Sequence, residues 1–323
     1  MGWLADGVND PLIAVRAIHF AATAITVGAL IFRIVVVEPA LRSAPAVIVL
    51  VRGQILRVAW IGLATAAASG ILWVLLLAAE MSGLSFSEAM SADVLLTVLN
   101  ETQFGLVSEI RLPFAIVLAI CLVYDRIPWM RWPALASALG LIAAIAWTGH
   151  AASTMGPTGW LHLIADMLHL VASAAWIGSL VPLALLLTAV RRHNDHEWMS
   201  IARDATQRFS TLGILSVGAL IATGIVNVWI LVGSLHALLV TGYGRILMLK
   251  IALFAAMLVI AAANRFWLTP RLALLPGSTS QLNALRQLTR NSVVEIVLGL
   301  TIFAIVGALG TLHPAIHLVE LQY

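Results

Sequence analysis

The chain has 323 residues, of which 61% are hydrophobic and only 10% charged, and its formal net charge is +3. Charged residues make up roughly a quarter of a soluble domain, so water is excluded as the solvent for most of this surface. The basic residues gather on no soluble domain, which argues against a nucleic-acid partner, and the single cysteine, Cys121, excludes a disulfide framework.

Eight segments are apolar for long enough to cross the hydrocarbon core, which takes about 20 helical residues. In chain order the predicted spans are 11–37, 55–79, 104–124, 133–149, 160–190, 209–232, 243–267 and 292–312. Glycine and proline inside them are tolerated, because neighbouring helices satisfy the backbone in a membrane. The sequence therefore predicts an all-α, multi-pass membrane protein whose main surroundings are the lipid bilayer.

The charges between the spans predict the orientation. Four alternate segments, 38–54, 125–132, 191–208 and 268–291, carry eleven arginines, whereas the other segments and both termini carry acidic residues outside the spans. Cytoplasmic loops are enriched in Lys and Arg. Both termini are therefore expected outside, which agrees with an even number of spans.

A weak repeat divides the chain into two four-helix units. The first comprises 1–132 together with 133–150, and the second comprises 151–323. The segments from His19 to Gly28 and from His169 to Gly178 align, as do Ser69-Gly70 with Thr223-Gly224 and Arg111 with Lys250. Because each unit has four spans, the two units are expected to be parallel, related by an axis along the membrane normal. Chance similarity among Leu, Ala and Gly-rich helices is the alternative.

Three polar residues form a stripe on the fifth predicted span. His162, Asp166 and His169 are spaced i, i+4 and i+7, which places them on one face of a helix. Two imidazoles and a carboxylate can bind a metal directly, or the carboxylate can orient a histidine ligand. Packing hydrogen bonds between helices are the alternative interpretation.

Further candidate ligands lie at or near the predicted outer side. His19 occupies the same depth in the first span as His169 does in the fifth, and His150 ends the fourth span. His313 and His317 follow the eighth span on that side. This outward bias of the histidines suggests a metal or cofactor site that faces outward. In contrast, His193 and His196 look like ordinary residues of an arginine-bearing loop.

Motifs for nucleotide hydrolysis are missing from the sequence. It has no Walker motif, no aspartyl-phosphate loop and no soluble domain large enough for hydrolysis. We therefore expect a protein that is not an enzyme, in which a gradient or a partner drives any transport.

Several separated motifs, taken in order, resemble the copper resistance protein D family (CopD, PcoD) over essentially the whole chain. They are Trp147-Thr-Gly-His150, His162-x3-Asp166-x2-His169-x6-Trp176-x-Gly178, Tyr243-Gly244-Arg245 with Lys250, Asn264-Arg265-Phe266 with Leu268-Thr269-Pro270, and Leu309-Gly310-Thr311-Leu312. One departure is Leu312-His313-Pro314, where the family has Pro-Pro. The resemblance implies a bacterial inner-membrane protein of copper homeostasis that passes copper from periplasm towards cytoplasm, with a small periplasmic copper-binding protein of the CopC type as partner.

Together, the motifs and the stripe predict a copper site at His169 and Asp166, assisted by His162 and His150, with His19 contributing from the other half. His313 is a further candidate ligand. A haem-linked function is the alternative, since the pattern His-x6-Trp-x-Gly also resembles haem-associated membrane proteins of the HemJ type. In that case His19 and His169, or either with His150, would be axial ligands.

Overall fold

A computed structural model describes residues 10–40, 45–154, 156–193, 195–274 and 278–316 of the chain. Over these ranges the secondary structure is helical and contains no strand, and eight helices are long and apolar enough to cross a membrane. They are α1 (Pro11–Ala40), α2 (Val47–Ser82), α3 (Gln103–Val123), α4 (Pro128–Thr148), α5 (Gly156–His193), α6 (His196–Val232), α7 (Gly242–Arg271) and α8 (Thr279–Leu309). The predicted all-α membrane fold is confirmed. The orientation of the termini stays a prediction.

Three of the helices begin much earlier than predicted, all at the end that carries the arginines. The predicted starts at 55, 209 and 292 become Val47, His196 and Thr279. Hydropathy falls where arginines begin, but arginine is a good helix former and an apolar stripe continues along each helix. On α6 this stripe includes the buried Ile201, and on α8 it includes the buried Leu285. The arginine-bearing segments are therefore largely helix rather than loop.

Short helices connect the long ones on the opposite, arginine-poor side. Phe86–Ala89 and Ala92–Glu101 lie between α2 and α3, and Leu235–Val240 lies between α6 and α7. The helices that follow have matching N-caps, because the side chains of Thr102 and Thr241 each accept a hydrogen bond from a glycine N–H two residues inside the helix. The connections thus have the same design in both halves.

Helices α1 and α5 form the centre of the bundle. Their most apolar segments are 83% and 78% buried, against 11% for α7. The two helices cross at Gly28 and Gly178, where a Cβ on either glycine would overlap the other helix's backbone. Ser179 Oγ donates a hydrogen bond of 2.8 Å to Gly28 O at this crossing. Small residues at such a crossing let helices approach closely in a membrane.

The other helices pack in the same way in each half. Helix α1 packs on α2 and α4, as α5 packs on α6 and α8; α3 packs on α4, as α7 packs on α8. Contacts between the halves match too, since α1 packs on α8 and α5 on α4. The α1–α5 crossing lies between the two predicted units, and the duplication itself stays a prediction.

An ion-pair network ties the first four helices together on the arginine-rich side. Arg33 pairs with Asp125, and its Nε lies 3.1 Å from Glu38 Oε1. Arg52 Nε lies 2.6 Å from Asp125 Oδ2, and Arg131 Nη1 lies 2.8 Å from Glu38 Oε2. A network with several shared partners fixes geometry better than isolated surface pairs do. It surrounds a cavity of about 490 Å³ at this corner of the first unit.

Candidate metal centre

His169 on α5 is held by a hydroxyl group on the neighbouring helix α6. Its Nδ1 lies 2.9 Å from Thr223 Oγ1, and Thr223 Oγ1 donates its own hydrogen to Ala219 O at 2.6 Å. The hydroxyl hydrogen is therefore used, so we assign His169 Nδ1 as the donor of the shared hydrogen bond. This tautomer leaves the lone pair on Nε2, which has no hydrogen bond within the described part of the chain. Metal-binding histidines are commonly fixed in this way.

Asp166 lies one turn before His169 on α5 and faces the same neighbour. Its Oδ1 accepts a hydrogen bond of 3.3 Å from Asn227 Nδ2 on α6. Asn227 Oδ1 is buried and has no hydrogen-bond partner among the described residues. The Asn227 side chain adjoins the Asp166 carboxylate, and the His169 imidazole lies one turn further along α5, so we treat the three as a cluster of acceptors. Such a cluster fits a bound cation.

Lys250 on α7 is a basic residue whose charge reaches this cluster. Its charge acts on both Asp166 and His169. Since Lys250 corresponds to Arg111 in the predicted repeat, the two halves each place one basic side chain from their third helix near the histidine. A copper ion bound at Asp166 and His169 would compete with the lysine for the carboxylate.

His19 in the first half has the same arrangement as His169. Its Nδ1 lies 3.1 Å from Ser69 Oγ, which donates to Thr65 O at 2.6 Å. The same reasoning makes Nδ1 the donor, and His19 Nε2 is buried without a partner in the described structure. Gly70 and Gly224 leave room beside the two rings, since a Cβ there would contact the Cε1 atoms of His19 and His169 at 3.2 and 3.7 Å.

The two histidines differ in the charges that surround them. The residue three positions before the histidine is Arg16 in the first unit and Asp166 in the second. The residue four positions after the hydroxyl residue is Trp73 in the first unit and Asn227 in the second. The Arg16 guanidinium lies 5.0 Å from the Trp73 ring centroid, and the charge of Arg111 also acts on His19. Two guanidiniums disfavour a cation at His19. The second half offers the better cation site.

The remaining candidates lie at the arginine-poor end of the bundle. His162 is 1% exposed, and its Nδ1 lies 2.8 Å from Thr154 Oγ1. His150 Nε2 lies 3.3 Å from Leu309 O on α8. Burial lowers the pKa of His150, and the charges of Arg16 and His313 act in the same direction against its hydrogen bonds to backbone. The His150 imidazole is therefore neutral near pH 7. His313 is exposed, whereas His317 lies outside the described residues.

The predicted residues do not all converge on one point. In the described part of the chain, no three His, Cys, Asp or Glu side chains are close enough together to hold a metal. His162, Asp166 and His169 share a helix face as predicted, but each is bonded to a different partner: Thr154, Asn227 and Thr223. His19 and His169 face the second helix of their own units, which favours two separate sites over one bis-histidine centre.

Sequence reasoning did not single out several polar residues that the structure places beside the candidate histidines or buries within a span. It aligned Ser69 with Thr223 as part of the repeat without assigning them to the histidines, and it did not single out Asn227 or Glu295. Asn227 follows Thr223 by four residues and so lies on the same face of the helix, which was the available signal for it. For Glu295 the signal was a carboxyl group within the eighth predicted span.

Two protein-family models together match most of the chain. A family model described as the N-terminal domain of copper resistance protein D-like proteins matches residues 8–160, and the copper resistance protein D model matches residues 203–309. The chain is 30% identical to copper resistance protein D of Pseudomonas syringae pv. tomato over 95% of this chain and 98% of that protein. No solved structure gives a significant match.

Two further relatives match a smaller share of the chain. Inner membrane protein YebZ of Escherichia coli (strain K12) is 28% identical over 72% of this chain and 77% of that protein. Copper transport protein CutJ of Bacillus subtilis (strain 168) is 34% identical over 39% of this chain and 22% of that protein.

Proposed function

The chain belongs to the copper resistance protein D family, as its sequence motifs predict, and we propose that it carries copper inward across the bacterial inner membrane. The eight apolar helices make it a multi-pass membrane protein, and relatives named for copper resistance, copper transport and the inner membrane support copper homeostasis as its role. Movement from periplasm to cytoplasm, without nucleotide hydrolysis, is our proposal.

We place the principal copper site in the second unit, at His169 and Asp166. The observation that carries this assignment is the hydrogen bond from His169 Nδ1 to Thr223, which leaves Nε2 available one turn from a carboxylate. Imidazole nitrogen is a suitable copper ligand. The orphan oxygen of Asn227 offers a further polar contact.

Copper would approach this site from the arginine-poor side, which the positive-inside rule makes periplasmic. His162, the neutral His150 and the exposed His313 line that approach in our proposal. A periplasmic copper-binding protein of the CopC type would deliver the ion there. His19 would bind separately in the first unit and more weakly, because Arg16 and Arg111 surround it.

Copper titration of the detergent-purified protein against a chromophoric chelator tests this proposal, with an absorption spectrum recorded on the same sample. We expect His169→Ala to abolish binding at the principal site, and Asp166→Asn to weaken it by about 10-fold to 100-fold if Asp166 only orients a ligand, and more if it binds directly. His196→Ala is the control, because His196 is exposed on the arginine-rich side, whereas His193 stacks on Trp198.

Two results would contradict the proposal. Equal copper affinity in His169→Ala and His196→Ala would place the site elsewhere. Stoichiometric haem, visible as an intense Soret band, together with no copper affinity would favour the haem-linked alternative.

A further inference from the structure

A cavity of about 250 Å³ lies between α5, α6, α7 and α8 in the second unit. Trp176, two turns beyond His169 along α5, contributes to its wall. The cavity is thus displaced from His169 towards the arginine-rich side, in the direction that copper would travel. Most of the wall is apolar, and Asn264, Arg265 and Glu295 are exceptions.

Glu295 is a buried carboxyl group in this wall. It lies on α8 within the apolar span and is 2% exposed. Its Oε1 accepts a hydrogen bond of 2.7 Å from Asn264 Nδ2 on α7. Asn264 Oδ1 in turn accepts a hydrogen bond of 2.7 Å from Asn291 Nδ2, one turn before Glu295 on the same helix. The carboxyl group therefore ends a chain of two amides.

Glu295 has no cationic partner among the residues that the structure describes. Arg265 is the charged residue that shares the cavity wall, and its Nη1 donates to Ser210 Oγ at 2.6 Å. The neighbouring Ser292 and Thr206 are neutral and donate to backbone carbonyls. An ionised carboxylate buried in a membrane needs a positive partner. Amide donors supply only part of that compensation.

The corresponding corner of the first unit is built differently. Aligning Arg126 with Arg265 places Asp125 opposite Asn264, and aligning Gly140 with Gly299 places Ala136 opposite Glu295. Asp125 is neutralised by Arg33 and Arg52. The carboxylate of the first unit is thus held in ion pairs, whereas Glu295 in the second has only an amide partner among the described residues.

The chain geometry around Asn264 is also specialised. Asn264–Leu268 is a π-helical turn inside α7, and Thr269 Oγ1 donates to Asn264 O at 2.8 Å across it. π-Helical turns are rare in proteins, but those that occur are often found at functional sites. Here the turn coincides with the residue that donates to Glu295.

From this geometry we propose that Glu295 binds a proton and exchanges it for the passing copper ion, so that copper import is coupled to proton export. This proposal rests on the proposed copper transport. As copper enters the cavity, the Glu295 O–H bond breaks, the proton leaves towards the copper entry side, and the carboxylate pairs with the cation. When copper leaves on the arginine-rich side, the carboxylate takes up a proton from that side.

Glu295 is better suited to this transient role than to holding copper permanently. The available ligand atoms are the oxygens of a carboxylate and two amides, which hard cations prefer, whereas softer ligands such as thioethers select copper(I). The proton supplies the positive charge that the buried carboxylate otherwise lacks. Each copper ion moved inward is matched by one proton moved outward.

The test uses the full-length protein in vesicles that contain a trapped pH-sensitive dye, with the membrane potential clamped by potassium and valinomycin. Copper added outside should raise the lumen pH in proportion to the copper taken up. Glu295→Gln should abolish this proton signal while copper affinity at His169, titrated in detergent, stays unchanged. Ser292→Ala is the matched control, since Ser292 lines the same cavity one turn away, and it should retain the signal.

A second measurement does not depend on transport. Dicyclohexylcarbodiimide modifies protonated carboxyl groups in apolar surroundings, so mass spectrometry should locate an adduct on Glu295 that forms more slowly as pH rises. Copper uptake by the wild type without a proton signal, or a proton signal that survives in Glu295→Gln, would overturn the inference and leave the proposed function standing. A wild type that binds no copper would overturn both.

Discussion

The hydrogen bond between Thr223 and His169 allows the proposed copper site to be tested without removing a ligand. Thr223→Val keeps the shape of the side chain but deletes the oxygen that accepts from His169 Nδ1 at 2.9 Å. When copper binds Nε2, the ring proton must stay on Nδ1, and it then has no acceptor. In the free protein the ring can rotate or move its proton to Nε2, so the cost falls mainly on the bound state.

The expected size of this effect follows from the free energy that is lost when a buried hydrogen-bond donor has no acceptor. This free-energy cost is about 1–3 kcal/mol, and a tenfold change in affinity corresponds to about 1.4 kcal/mol. Copper affinity should therefore fall by about 5-fold to 150-fold, a range that includes the 10-fold to 100-fold effect typical of removing a residue that orients a metal-binding histidine.

The first unit provides the matched control for this experiment. Ser69→Ala deletes the equivalent acceptor of His19, at 3.1 Å, in a unit whose histidine is flanked by Arg16 and Arg111. Copper affinity of purified Thr223→Val, Ser69→Ala and wild type would be compared by chelator competition. Only Thr223→Val should weaken binding at the principal, tighter site. Equal weakening in both variants, or none in Thr223→Val, would refute the assignment of the site to the second unit.

Two further predictions concern topology and the helix crossing. In a Cys121→Ala background, a cysteine that replaces Ser87 should react with a membrane-impermeant reagent in intact cells, and one that replaces Ser200 should not. Equal labelling of both would contradict the predicted orientation. Gly28→Ala should destabilise the protein by about 1–3 kcal/mol, because the added Cβ overlaps the α5 backbone. Gly53→Ala, where a Cβ meets no described atom within 4 Å, should leave the thermal midpoint unchanged or slightly higher; an equal loss in both would contradict the close crossing.

Much of the fold could be predicted because membrane insertion depends on local composition. All eight helices follow from runs of about 20 apolar residues, whose burial in lipid needs no knowledge of their neighbours. The family motifs likewise lie in continuous stretches of sequence. The helix starts at His196 and Thr279 could not be predicted from hydropathy. There the helices continue because one stripe of the added turns packs on other helices, which is a tertiary property.

The site was predictable only in part, for a related reason. The spacing of His162, Asp166 and His169 determines that they share a helix face, and this is a property of the sequence alone. Which helix that face meets is decided by the crossing of α1 and α5 at Gly28 and Gly178.

The similar surroundings of the two histidines show the same division most clearly. Sequence alone aligns His19 with His169, and composition cannot say which of them suits a cation. Tertiary structure places Arg16 over Trp73 beside His19, and brings Asn227 to Asp166 beside His169. It also leaves Glu295 beside a cavity with amide partners while Asp125 is enclosed by arginines. Charge balance around a buried group depends on residues from several helices, and only their packing brings those residues together.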